Sequence, residues 1–204
     1  MAYVTAAWFG GPVLRMIRRR ISELFPGDAR RILEVGVRRG HGLAGYPDRC
    51  DVTGTEADPR DLAAARRRIA GAARDQIAGL HRLAPDRLCF PDASFDAVAA
   101  VSVMERAGGA VRQIDEMVRV TRPGGRIIVV DRLRKARAPQ SARDPLTRAL
   151  RRLSIRIGRR LARARRLPET LFSRRRDLAP VGTLKIFGFR LHAYERLDTT
   201  ATPA

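Results

Sequence analysis

The stretch Arg31-Ile32-Leu33-Glu34-Val35-Gly36-Val37-Arg38-Arg39-Gly40-His41-Gly42 decides the fold. Arg31 to Val35 reads as a short buried strand, and the glycines that follow read as a turn. Glycine lets the backbone approach a ligand closely, and a helix start beyond such a turn offers unpaired N–H groups. The spacing Gly36-x-x-x-Gly40-x-Gly42 departs from the dinucleotide pattern G-x-G-x-x-G, which disfavours a dehydrogenase. A purely structural turn is the competing reading.

Downstream, Asp51 to Thr55 forms a second strand that ends at Glu56, and Asp58-Pro59 opens a helix carrying Leu62, Ala65, Ile69 and Ala73. Leu83 and Leu88 mark a weak third strand, and Phe95 to Val101 an apolar fourth. Val111, Ile114, Met117 and Val118 share one side of the next helix, which stops at Arg122-Pro123-Gly124-Gly125. Arg126 to Val130 is a fifth strand and Arg190 to Arg196 a sixth, before a disordered tail from Asp198 to Ala204. Upstream, Leu14, Ile17, Ile21 and Leu24 recur at helical steps over Pro12 to Phe25. Pro12 is expected in the first turn, with Arg15, Arg18, Arg19 and Arg20 on the wetter side. Alternating strands and helices predict one α/β domain over residues 1–197, a doubly wound and mostly parallel sheet.

Composition narrows the rest. The chain has 204 residues and a formal net charge of +20, which favours nucleic acid, anionic membrane or acidic ligands as partners. Lys135 and Lys185 are the only lysines, an arginine bias that GC-rich coding also produces. Residues 134–176 read as a basic helical insertion, with sixteen basic residues against Asp144 and Glu169. There Leu146, Leu150, Leu153, Ile157 and Leu161 line one stripe of an amphipathic helix. That helix either packs on the sheet or lies on an anionic bilayer. Nucleic acid is the weaker partner, because the segment lacks interleaved aromatics that would stack bases. Cys50 and Cys89 make neither a metal-ligand spacing nor a disulfide framework. The longest apolar stretch, Ala97 to Met104, is far short of the roughly 20 residues of a membrane-spanning helix. With no signal peptide visible, a cytoplasmic location is expected, peripheral on the inner face of the membrane if the basic helix binds lipid.

Leu33-Glu34-Val35-Gly36, Glu56, Leu88-Cys89-Phe90-Pro91-Asp92-Ala93-Ser94-Phe95-Asp96-Ala97-Val98 and Val120-Thr121-Arg122-Pro123-Gly124-Gly125-Arg126 follow one another in order. Together they resemble the class I S-adenosylmethionine-dependent methyltransferases, ubiquinone/menaquinone-type branch, over about Arg30 to Asp131. Phe9-Gly10-Gly11-Pro12-Val13-Leu14 and Tyr46-Pro47 ahead of Asp51-Val52-Thr53-Gly54 look more narrowly like bacterial phospholipid N-methyltransferases acting on phosphatidylethanolamine.

The resemblance implies a Rossmann-like seven-stranded sheet with S-adenosylmethionine at the carboxyl ends of the first strands. It also implies a small-molecule or lipid substrate. The cofactor-binding positions it implies are Glu34, Gly36, Val37, Arg38, Gly40, Glu56, Ala57, Asp86 and Val101. Glu34, Gly36 and Gly40 match the motif facing the methionine part, and Glu56 matches the ribose-binding acid, usually aspartate.

Three departures stand out. Arg38 takes the place of a family glycine, and Ala84 that of the acid near the adenine amine, for which Asp86 substitutes only if the loop is reset. The final strand of the family is left in doubt after the sixth. The implied rivals are therefore a quinone or other small-molecule methyltransferase and a non-catalytic relative with a degenerate cofactor site. His41, in the cofactor turn, is a candidate base for an amine substrate, against a merely solvated loop histidine. Glu105 and Arg106 follow the fourth strand, near where a substrate would enter.

Overall fold

The computed structural model describes residues 4–72, 75–101, 109–132, 170–186 and 189–199. Helix α1 (Val4–Ser22) precedes β1 (Arg31–Val35), a single 3-10 turn (Leu43–Gly45), β2 (Asp51–Thr55) and α2 (Pro59–Ala70). Then come β3 (Ile77–His81), β4 (Phe95–Val101), α3 (Ala110–Val120), β5 (Thr121–Arg132), α4 (Thr170–Ser173), β6 (Leu178–Ile186) and β7 (Phe189–Arg196). The seven strands form one sheet in the order β3-β2-β1-β4-β5-β7-β6. The first five are mutually parallel, and β7 runs antiparallel between β5 and β6.

Apolar runs without polar alternation make the central strands, because helices cover both faces. Every residue of β4 is buried. Successive residues of β1 supply opposite faces: Ile32 joins Ile17, Ile21 and Ala65 of α1 and α2, while Leu33 joins Ile114, Met117 and Val118 of α3. At the amino end of the sheet, Asp96 accepts from the Arg30 and Arg31 amides at 2.8 Å and from Arg122 Nε at 2.8 Å, joining β4 to β1 and β5.

Several expectations are corrected. The seventh strand is present: the sequence reading passes over β6 because Pro180 and Gly182 interrupt it and the pairing shifts register there. Such breaks suit an edge strand. The third strand is Ile77–His81, ahead of Leu83 and Leu88. Pro12 sits inside α1 rather than in its first turn. Arg18, expected on the wet side, is 4% exposed, and its stripe neighbours Ile17 and Ile21 carry it into the core. Val111 is 56% exposed, and Gln113 takes a buried place on α3 instead. The basic helix at residues 146–161, together with Glu105 and Arg106, lies outside the described residues.

Parallel neighbours need a crossover, usually an α-helix. Between β1 and β2 that crossover holds only the three-residue 3-10 turn. Gly40, Gly42, Gly45 and Pro47 deny it a longer helix. Helix α1 packs into the space, and a Cβ at Gly45 would strike the carbonyl of Arg15.

Candidate functional site

Strand order reverses at β1 and β4, which places a crevice at their carboxyl ends, where open α/β sheets bind ligands. The turn leaving β1 lies there. Gly36, Arg38 and Gly40 have φ of 77°, 52° and 71°, so alternate residues are left-handed. The Gly36 and Val37 amides both donate to Thr55 O, at 2.8 and 2.9 Å, lashing the turn to β2. Glu56 completes the lashing: Oε2 accepts from the Arg38 amide at 2.8 Å and Oε1 from the Asp58 amide at 3.0 Å. Asp58 caps α2 by accepting from the Arg60 and Asp61 amides, as its place before Pro59 predicts. The turn, Glu56 and the start of α2 are thus one hydrogen-bonded unit. Arg38 stands where a left-handed backbone is required, at a cost of roughly 1–2 kcal/mol for a residue with a Cβ.

Glu34 is fully buried. Arg18 of α1 covers it, Nε donating to Oε2 at 3.2 Å and Nη2 to Oε1. Burial opposes the charge on Arg18, but Glu34 outweighs it and holds the guanidinium above the ordinary arginine range. Beside the pair, burial and then the Glu34 charge push the Tyr46 hydroxyl well above the usual phenol range. Arg18 Nη1 and Tyr46 Oη are both buried without a hydrogen bond of ordinary geometry. Buried polar groups are rarely left so. Gly42 permits the arrangement, since a Cβ there would collide with the guanidinium.

The remaining expected residues spread around the crevice. Val37 is 3% and Val101 4% exposed, Val101 closing β4 opposite Val130. Ala57 is exposed at the entry to α2. Asp86 lies opposite Arg112 of α3, with Oδ2 and Nη2 3.5 Å apart. His41 turns to α2, Nε2 lying 3.3 Å from Arg68 Nη2. Burial first, then Arg68, Arg39 and Arg15, depress its pKa, which favours the neutral imidazole. Sequence reasoning missed Arg18 and Tyr46. A charge on an apolar stripe, one residue after Ile17 and three before Ile21, was the available signal for Arg18.

Residues 33–129 match a family profile described as a methyltransferase domain. A phosphatidylethanolamine N-methyltransferase of Cereibacter sphaeroides is 32% identical over 132 residues, which span 65% of this chain and 65% of that protein. A demethylmenaquinone methyltransferase of Beutenbergia cavernae is 49% identical over 45 residues, 22% of this chain and 19% of that one. Against both, this chain matches less than two thirds of the relative's length. Among solved structures, geranyl diphosphate C-methyltransferase from Streptomyces coelicolor A3(2), in complex with Mg2+, geranyl diphosphate and S-adenosyl-L-homocysteine, has the same fold. Its TM-score is 0.65 at 13% identity, covering 89% of this chain and 77% of that one.

Proposed function

We propose, from the match of residues 33–129 to a methyltransferase domain profile, that this chain transfers a methyl group from S-adenosylmethionine to the amine of a phospholipid such as phosphatidylethanolamine. The observation that carries the reading is the Glu56 carboxylate tied to both the glycine turn and α2 at the switch point.

The donor set fits the cofactor. Each oxygen of Glu56 accepts from one backbone N–H and keeps a lone pair for a ribose hydroxyl. Arg18 Nη1 and Tyr46 Oη, buried beside Glu34 without a hydrogen bond of ordinary geometry, are donors of the kind a carboxylate takes. When bound, S-adenosylmethionine supplies a methyl already activated on a sulfonium. The chain's task is alignment rather than acid–base work. The left-handed turn faces the methionine part, Glu56 holds the ribose, the Arg18–Glu34 pair braces β1 against α1, and Val101 gives a dry wall. An amine must reach the site neutral, and the surrounding positive charge disfavours its protonated form.

The phospholipid acceptor is supported by the phosphatidylethanolamine N-methyltransferase relative and by the Tyr46-Pro47 stretch. An anionic membrane surface suits the net charge of +20. Among the described residues no helix is long and apolar enough to cross a membrane. Incubation of the chain with labelled cofactor tests the acceptor. Label should enter phosphatidylethanolamine vesicles, and label in demethylated quinols alone would move the assignment to the quinone reading, which the second relative favours.

Arg38 supports a further reading, a binding module without turnover. Arg38→Gly separates the two: a degenerate site gains affinity for S-adenosylhomocysteine, whereas a working Arg38 loses it.

A further inference from the structure

A cleft of about 400 Å³ opens between the glycine turn and α2, lined by Arg39, Ala64, Arg67 and Arg68. Ala64, Arg67 and Arg68 share one face of α2 by their three- and four-residue spacing. Three exposed arginines and Ala64 therefore line a shallow, solvent-open cleft.

Among the described residues, two of the three charges, Arg67 and Arg68, have no acid partner. Arg68 Nε donates to the carbonyl of Arg39 at 3.1 Å, and its Nη2 meets His41 Nε2 at 3.3 Å. Neither partner is a carboxylate, so they fix the fork and leave its charge intact. Arg39 shares one carboxylate, Asp61, at 3.3 Å. Arg67 has no ion pair among the described residues. Clustered like charges repel unless something answers them.

We propose that this cleft, beside the methyl-transfer crevice, is a binding site for a phosphate group. Three arginines lining one cleft can together offer donors to the several acceptor oxygens of a phosphate, whereas a carboxylate is satisfied by a single fork. Ala64 leaves the floor open for the ester substituent. The site takes a free phosphate or the phosphodiester of a lipid headgroup by the same chemistry.

The test follows the three histidines of the full chain by NMR during titration with inorganic phosphate, then with glycerophosphoethanolamine, chloride holding ionic strength constant. The expected result is a saturable upward movement of the His41 titration, with His81 and His192 unmoved. Arg67→Ser, an exposed change, should weaken the saturation roughly tenfold, the worth of one charge-assisted hydrogen bond. Saturation by both ligands marks a lipid headgroup as an admissible source, and saturation by inorganic phosphate alone marks a free phosphate or monoester. If neither saturates, if all three histidines move together, or if Arg67→Ser changes nothing, the proposal is overturned.

Discussion

At the scale of single residues, the Arg18–Glu34 pair shows how a motif acid can be committed to the protein itself. Both partners are out of water, at 4% and 0% exposure, so removing one strands the other. Arg18→Met should therefore destabilise the chain by about 3–5 kcal/mol. The double change Arg18→Met with Glu34→Leu should recover most of that loss, because a packed apolar pair has no charge to bury. Urea midpoints measure both, and a single variant within about 1 kcal/mol of the parent would contradict the assignment. Glu34 and Glu56 were legible because they close strands at a motif spacing. Arg18 was not, since nothing in a linear reading links it to an acid sixteen residues away. Arg38 was half legible: it stands in the place of a family glycine, and its backbone is left-handed, but nothing in the sequence pointed to the Glu56 carboxylate that accepts from its amide.

Among elements, the Asp96 junction ties the amino ends of β1, β4 and β5. Burial alone would raise its pKa, but the Arg30 and Arg31 amides and Arg122 outweigh burial and hold it below the usual carboxylate range. A depressed folded-state pKa contributes stability above the unfolded value near 3.9, and that contribution is lost as pH falls through the folded value. Asp96→Asn should cost about 2 kcal/mol at pH 7 and flatten this acid limb of the stability curve. Denaturant melts from pH 7 down to about pH 3 check it, and an unchanged acid limb in the variant would contradict the account. Elements with dense apolar runs, β1 and β4 above all, were legible from the sequence. The edge strands were not: β3 lacks a run, and β6 carries a proline and a glycine that imitate a loop. The crossover with a single 3-10 turn was equally hidden, because its glycines read as part of the ligand turn alone.

For the whole molecule, the excess of arginine sets a field that no single contact explains. Forty-one basic residues face twenty-one acidic ones, so the folded state repels itself and salt should relieve it. The melting temperature should rise as sodium chloride goes from about 50 to about 500 mM, and a fall would show the surface ion pairs to dominate instead. The ordered motifs made the doubly wound sheet legible, because each strand–turn signal is local. The acceptor was not, since substrate choice depends on the walls of the crevice rather than on its floor. The floor can be tested alone. Calorimetric titration of the folded chain with S-adenosylhomocysteine should give saturable one-site binding, weakened about tenfold or more in Glu56→Ala; no heat at millimolar ligand would contradict the claim that the turn and Glu56 hold an adenosyl cofactor.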